Sequence, residues 1–177
     1  LRWGLVPGWA KDIEIGNRLI NARSETIMDK PSFRNAFARR RCLILADGFF
    51  EWKKGKTKGT PSQPYYFQLV DKKPFALAGI WEIWHAPDGS ELWSTAIITC
   101  EANDVLKPVH DRMPVILDKN HMFNWLDDRP QKVLVEMMQP YSAEKMKSHM
   151  VGKAVNSPFN DTPECVEAIK QGGMLFS

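Results

Sequence analysis

A succession of apolar segments rich in aromatic and β-branched residues constrains the fold of this chain more than any other feature. The segments cover residues 49–52, 65–70, 75–84 and 92–100. Pro87-Asp88-Gly89 is typical of a tight turn between the last two, and residues 53–64, rich in Lys, Gly, Thr and Pro, are typical of a long hairpin loop. The pattern predicts an antiparallel meander in the middle of the domain.

Helical patterns flank this meander. Phe33 and Phe37 share one face of a predicted helix over 33–40, and Asp118 is placed to cap a helix over 121–126. Further helices are predicted over 132–138 and 142–150, followed by a closing strand over 151–155. The sequence therefore predicts a single α+β domain, 1–177, with a curved, largely antiparallel, barrel-like sheet and peripheral helices.

Composition narrows the functional class. No apolar run reaches the roughly 18 residues that a membrane-spanning helix needs, so we expect no membrane partner. The three widely spaced cysteines predict neither disulfides nor a zinc knuckle, which favours the cytoplasm. The formal net charge of +3 permits nucleic-acid binding without requiring it.

Three polar clusters interrupt apolar segments. They are Asn21-Ala22-Arg23-Ser24-Glu25-Thr26, Asp47-Gly48-Phe49-Phe50-Glu51-Trp52 and His110-Asp111-Arg112-Met113-Pro114. An amide, a carboxylate and an imidazole delivered by three separate elements are suited to a proton-transfer site. We therefore take Asn21, Glu51 and His110 as candidate catalytic residues.

Each candidate also has a structural interpretation. Asn21 could simply cap a turn, and Glu51 could point from an edge strand to water beside Lys53 or Lys54. In favour of chemistry, aromatic neighbours would remove water from Glu51 and raise the pKa of its carboxyl group. His110 lies between charged residues, and imidazole exchanges protons near neutral pH.

Two other kinds of site compete. Glu51, His110 and Asp111 could ligate a metal ion, but no familiar ligand spacing accompanies them, so no metal is expected. Cys42 or Cys100 could act with His110 as a cysteine protease. Both thiols lie in or at the end of apolar segments, where cysteine is usually inert packing.

Four residues are candidates for DNA binding. Arg23 and Arg112 belong to the polar clusters, where a guanidinium can clamp a phosphate. Trp3 and Trp9 bracket a Pro-Gly turn that could present an indole ring for base stacking. We expect at least one of the two rings to pack in the core.

Together these motifs resemble the SRAP (SOS-response-associated peptidase) family, relatives of the abasic-site DNA–protein crosslinking proteins. The resemblance spans the chain in the family's order and rests on the three clusters, on Trp3-Gly4-Leu5-Val6-Pro7-x-Trp9 and on Val155-Asn156-Ser157-Pro158. It implies a DNA-damage response protein whose partner is single-stranded DNA containing abasic sites, with no cofactor and with bacterial, nucleoid-associated activity.

The family chemistry joins an N-terminal cysteine to the aldehyde of the opened sugar as a thiazolidine. The resemblance implies that Asn21 holds the sugar oxygen, Glu51 positions the amine and moves protons, and His110 assists ring opening. The same cysteine and Glu51 are implied in self-cleavage of an N-terminal extension. The chain begins Leu1-Arg2-Trp3-Gly4, so we expect it to lack the family's N-terminal segment and to be inactive alone. A non-catalytic single-strand-binding module and a peptidase acting in trans stay open as alternatives.

Overall fold

The computed structural model describes residues 1–55, 57 and 59–169, which form a mostly β, α+β structure. The strands are β1 (Arg2–Trp3), β2 (Asn21–Arg23), β3 (Arg41–Ala46), β4 (Phe49–Lys53), β5 (Gln63–Leu69), β6 (Phe75–His85), β7 (Glu91–Glu101), β8 (Arg112–Pro114), β9 (Ile116–Leu117) and β10 (Met146–Met150). The α-helices are α1 (Arg34–Arg39), α2 (Lys119–Leu126) and α3 (Gln131–Glu136). The α+β prediction, with its largely antiparallel sheet, is confirmed.

The β6–β7 hairpin forms the centre of a seven-stranded sheet that also contains β1, β2, β3, β8 and β9. Its turn is the predicted one: the Ala86 N–H donates to the Ser90 carbonyl, and Gly89 adopts a φ of +85°, which favours glycine. β3 pairs antiparallel with β6, while β1 and β2 run parallel to β7.

β6 and β7 separate at one end, and the segment carrying β8 and β9 lies between them. β8 pairs with the end of β7, and β9 pairs with the start of β6. Between the two, the Val115 N–H donates to the Ile98 carbonyl and the Val115 carbonyl accepts from Ala78. This insertion places the residues just before β8 beside the end of β7.

A second sheet contains β4, β5 and β10. The predicted β4–β5 hairpin with its long loop is confirmed; Lys56 and Lys58 in that loop lie outside the described residues. The described strands form these two sheets instead of the barrel-like closure that we expected.

The helix predicted over 142–150 is wrong. Only Ala143–Lys145 makes a 3-10 turn, and Met146–Met150 pairs antiparallel with β5. The predicted closing strand is also wrong, because Val151 makes a single bridge to Ala168 and Lys153–Asn156 is a 3-10 helix. Pairing with β5 buries Met146 in the core, and this tertiary gain outweighs local helix propensity.

The other three predicted α-helices form close to their expected bounds. Asp118 caps α2, because its carboxylate accepts from the N–H groups of Asn120 and His121. Trp125 of α2, Phe37 of α1 and Phe67 of β5 are fully buried in one core that both sheets share. No helix in the described ranges is long and apolar enough to cross a bilayer.

Candidate functional site

Three adjacent strands bring the first and third polar clusters together. β2 pairs with β7 so that Arg23 lies opposite Thr99, and on the other side of β7 Thr99 lies opposite Pro114 of β8. Successive side chains in a strand point to opposite faces. Ala22 and Ile98 are therefore buried beneath the sheet, while Asn21, Arg23 and Thr99 share its other face.

Glu51 reaches the same place from the second sheet. The preceding corner is tight, because a Cβ on Gly48 would lie 2.2 Å from the Tyr66 hydroxyl oxygen. That hydroxyl donates to Asp47 over 3.3 Å, and burial, together with the Asp47 carboxylate, raises the pKa of Tyr66 to about 12. This Asp47–Gly48 corner fixes the direction of β4 after the turn, and so the position of Glu51.

The aromatic residues around Glu51 follow the alternation of β4. Phe49 stacks on Phe67, with ring centroids 5.4 Å apart. Phe50 and Trp52, on the other face, lie 6.4 Å apart. The Trp52 indole N–H donates to Asn156 over 2.8 Å, which gives the Asn156 motif a role in holding Trp52.

Side chains of both sheets line one pocket of about 440 Å³. It contains Asn21, Glu51 and His110, so the structure brings the three candidate catalytic residues together. The other lining residues are Trp3, Arg23, Phe49, Phe50, Leu77, Ile97, Thr99, Arg112, Met113 and Pro114. The pocket combines an apolar wall with a few polar groups, which is the usual composition of a small-molecule site.

Glu51 has the electrostatics of a proton-transfer group. It is half-buried, and the loss of hydration raises the pKa of its carboxyl group. The charge of His110 opposes this shift most strongly. No ion pair with Lys53 or Lys54 forms among the described residues, so the solvent-facing interpretation of Glu51 does not match the structure.

The orientation of His110 is set by its own loop. The backbone N–H of Arg112 donates to His110 Nδ1 over 3.0 Å. Because a backbone N–H can only donate, Nδ1 accepts, and the neutral ring carries its proton on Nε2. Asp111 places a carboxylate oxygen 3.3 Å from Nδ1. Within the described chain Nε2 makes no hydrogen bond, which leaves it for a ligand.

Arg112 does not fit the expected free phosphate clamp. Its guanidinium donates to both carboxylate oxygens of Glu25, at 2.6 and 2.9 Å, and to the Thr99 carbonyl at 2.6 Å. These hydrogen bonds hold the pKa of Glu25 below its ordinary value. The Arg112 side chain is only 16% exposed, so it braces the His110 loop against β7. Arg23 is exposed and is better placed to meet a phosphate.

The two candidate stacking residues lie in different places. Trp3 lines the pocket, and its indole N–H donates to the Ile20 carbonyl over 2.9 Å. Trp9 lines a separate groove with Lys11 and Arg18. Both rings are more than half exposed, so the expectation that one would be in the core is wrong.

Trp9 lies beside the face of the large sheet that points away from the pocket. The Val6 N–H donates to the Ser94 hydroxyl, and the Trp84 indole N–H donates to the Ala10 carbonyl. Ser94 and Trp84 alternate with the pocket-facing residues of β7 and β6. The turn that carries Trp9 is therefore separated from the pocket by the sheet.

The cysteines take no part in this pocket. Burial raises the pKa of the Cys42 thiol, and raises that of Cys100 to about 12. Cys165 is buried elsewhere. A thiolate nucleophile for a cysteine protease is thus disfavoured at both Cys42 and Cys100. Among the residues that the structure describes, no group of three or more His, Cys, Asp or Glu is arranged to hold a metal ion.

Comparison with known families agrees with the motifs. The family model described as SOS response associated peptidase (SRAP) matches residues 1–158. The chain belongs to the SRAP family.

Named relatives of this SRAP domain share a common description. Abasic site processing protein YoqW of Bacillus subtilis (strain 168) is 44% identical over 172 residues, which are 95% of this chain and 75% of that protein. Abasic site processing protein HMCES of Gallus gallus is 35% identical over 198 residues, covering 97% of this chain and 57% of that protein. A crystal structure of a protein from Bacteroides thetaiotaomicron superposes with a TM-score of 0.85 at 30% identity, covering 95% of this chain and 75% of that one.

Sequence reasoning about this SRAP site missed Thr99 and Glu25. Thr99 lies between β2 and β8 and supplies the carbonyl that Arg112 binds. Glu25 is in the first polar cluster, but nothing local indicates that it pairs with Arg112. Alternation along 92–100 could have placed Thr99 on a face with Ile97, although not beside His110.

Proposed function

We propose that this SRAP domain processes abasic sites in single-stranded DNA by capturing the aldehyde of the opened sugar. The observation that carries the proposal is the meeting of Asn21, Glu51 and His110 in one pocket, with the pKa of Glu51 raised by burial. The printed names of the relatives, abasic site processing proteins, support the same substrate.

The reaction that suits these groups joins an N-terminal cysteine to the sugar. Its amine attacks the aldehyde carbon, water leaves, and an imine forms. The thiol sulfur then adds to the imine carbon while its proton passes to nitrogen, closing a thiazolidine with a net loss of one water. Cys42, Cys100 and Cys165 cannot offer an amine and a thiol together, so the reacting cysteine is not among the 177 residues.

Each pocket residue has a step to assist. The Glu51 carboxylate would accept a proton from the amine during attack and return it when oxygen leaves as water. His110, with Nε2–H available, would donate to the sugar oxygen during ring opening. The Asn21 amide would hold that oxygen by a further hydrogen bond.

The residues around the pocket favour single-stranded DNA in which one nucleotide has lost its base. Arg23 is exposed at the pocket to meet a phosphate, and Trp3 presents a ring at its edge. An abasic nucleotide has no base to exclude, so the pocket need accept only the sugar. Proteins of this kind bind less tightly as salt rises, because phosphate contacts release counterions.

The test is adduct formation by the product of the complete reading frame. Mixed with an oligonucleotide bearing one abasic site, this protein should give a band that survives denaturing electrophoresis. The same oligonucleotide reduced with borohydride carries an alcohol in place of the aldehyde and should give none. Glu51→Gln should slow the adduct by at least about tenfold. A folded protein that forms no adduct would overturn the proposal.

The same experiment separates the alternatives. A non-catalytic binding module would bind abasic and intact strands equally, and its affinity would not change in Glu51→Gln or His110→Ala. A peptidase acting in trans would cleave an added protein substrate, for which the protonated thiols of Cys42 and Cys100 offer no nucleophile. Removal of an N-terminal extension, which would use Glu51 near the same terminus, can be followed by mass spectrometry of the purified product.

A further inference from the structure

The face of the large sheet that forms the pocket continues beyond it as an aromatic surface. Along β7 the side chains of Trp93, Thr95, Ile97 and Thr99 occupy alternate positions and so share a face. Ile97 and Thr99 line the pocket. Trp93 lies six positions from Thr99, about 20 Å along an extended strand.

Three indoles lie on this face of the sheet, and two of them stack. Trp3 of β1 and Trp81 of β6 are both paired with Thr95, one on each side of β7. Trp81 then stacks on Trp93, with ring centroids 5.1 Å apart and planes within 3° of parallel. Trp3, which lines the pocket, and the Trp81–Trp93 pair therefore lie on the same face of the sheet, with Trp3 and Trp81 flanking Thr95.

Two of these three rings, those of Trp93 and Trp3, are exposed and held by a hydrogen bond. Trp93 is 46% exposed, and its N–H donates to the Glu91 carboxylate over 3.2 Å. Trp3 is 57% exposed, and its N–H is bound to the Ile20 carbonyl. With the polar atoms already bonded, what each ring offers is its flat surface, already held in one orientation.

We infer that the Trp81–Trp93 pair is a stacking platform for a nucleobase on single-stranded DNA whose abasic nucleotide occupies the pocket. This inference rests on the proposed function and names a second contact on the same strand. An aromatic ring accepts any base and needs no pairing, which suits a strand recognised by a missing base. The separation of about 20 Å corresponds to about six stacked nucleotides, within the usual length of a single-strand site.

A protein partner suits this surface less well. A stable protein interface buries about 800 Å² on each side, whereas one aromatic side chain buries about 150–250 Å². Continuity with the pocket is the feature that singles out the strand already bound there.

The test measures affinity without any covalent step. Oligonucleotides carrying a tetrahydrofuran abasic analogue, which has no aldehyde, are extended from about two to about eight nucleotides on the 5′ side in one series and on the 3′ side in another. Fluorescence anisotropy should show about a tenfold gain in affinity in one series, once the arm reaches the platform. Trp93→Ala should remove this gain and leave the shortest oligonucleotides unaffected.

Two further variants make the result specific. Trp93→Leu keeps an apolar side chain against Trp81 but has no ring, and it should lose the gain as well. Trp9→Ala removes an even more exposed indole on the far side of the sheet, and it should keep the gain. Thermal melting of every variant verifies that it is folded.

The outcomes divide cleanly. A length-dependent gain that survives both Trp93 variants would overturn the platform while leaving the proposed function intact. An equal loss of affinity at all lengths would overturn it as well, since the effect would then arise in the pocket. If no oligonucleotide of any length binds the wild-type protein, the proposed function itself fails.

Discussion

The backbone N–H of Arg112 donates to His110 Nδ1, and this hydrogen bond decides which ring nitrogen faces a substrate. The Arg112 side chain is held in turn by Glu25 and by the Thr99 carbonyl. Glu25 thus acts on His110 through one intermediate residue. We call Arg112, Glu25 and Thr99 the bracket. It positions the imidazole through the Arg112 backbone, without direct contact between the ring and a buried carboxylate.

Loss of His110 is expected to raise the pKa of Glu51 further. The His110 charge opposes the effect of burial on that carboxyl group, so His110→Ala removes the opposition. Titration of the Glu51 carboxyl by carbon-13 NMR measures the shift. His121→Ala is the control, since His121 pairs with Asp118 on α2 and should leave Glu51 unchanged. An unaltered Glu51 pKa in His110→Ala would contradict the proposed coupling.

Glu51→Gln is expected to stabilise the fold at alkaline pH while it impairs adduct formation. Because burial raises the folded-state pKa of Glu51 above its unfolded value, its favourable contribution is present at low pH and is lost as the pH rises through the raised pKa. Gln carries no charge, so the variant should melt about 2–4 °C higher at pH 8 and match the wild type near pH 4. Thermal melting across pH provides the comparison, with the exposed Glu136→Gln as control. A lower melting temperature for Glu51→Gln at pH 8 would argue against a desolvated carboxylate.

Glu25→Gln should destabilise the protein by about 1 kcal/mol at neutral pH, a modest value because the Glu25 side chain is about half exposed. Arg112 holds the pKa of Glu25 below its ordinary value, so this contribution is present above the ordinary pKa and is lost as the pH falls through the lowered one. Urea unfolding at pH 7 and pH 3 should show that the difference in unfolding free energy between the wild type and Glu25→Gln is smaller at pH 3.

The Glu25 variant also tests the bracket around His110. Adduct formation should slow in Glu25→Gln, because Arg112 then holds the His110 loop with one partner fewer. Glu101→Gln is a close control, since Glu101 is exposed opposite Arg112 in the sheet but makes no ion pair within the described residues. Equal rates in the two variants would show that Glu25 has no positioning role.

Gly48→Ala is expected to cost about 1–3 kcal/mol, because the added methyl group would overlap the Tyr66 ring and hydroxyl group. The Tyr66 ring packs 5.1 Å from Phe50, so the displacement should reach the pocket and slow adduct formation. Differential scanning calorimetry measures the destabilisation. Gly152→Ala is the control, as its methyl group would meet its nearest atom at 3.9 Å; equal melting temperatures for both variants would contradict the prediction.

Local patterns were sufficient where neighbours in sequence are neighbours in space. The Pro87-Asp88-Gly89 turn predicted the β6–β7 hairpin, and the carboxylate of Asp118 predicted the start of α2. The burial of Glu51 could also be anticipated, because its aromatic neighbours lie in the same strand. Met146–Met150 was predicted to be helical because its pairing partner, β5, is far away in sequence.

The site could be predicted only in its residue types. Asn21, Glu51 and His110 were chosen for their chemistry, but their meeting depends on β2 and β8 pairing with β7. The face of the sheet on which each tryptophan lies was the least predictable property. Trp9 lies behind the sheet because Val6 binds Ser94, whereas Trp93, which has no motif around it, shares the pocket face.

The many pairings of β7 have a consequence for folding and turnover. β1, β2, β6 and β8 all hydrogen-bond to this one strand, and β1 and β2 reach it from parts of the chain that are distant in sequence. Such contacts form late, because long loops must close before they add stability. Because β7 is hydrogen-bonded on both sides, the amides of β2, β7 and β8 should exchange with deuterium together, in the slowest cooperative unit. A partly folded chain in which β2 and β8 have not paired with β7 would therefore not hold Asn21 and His110 in one pocket.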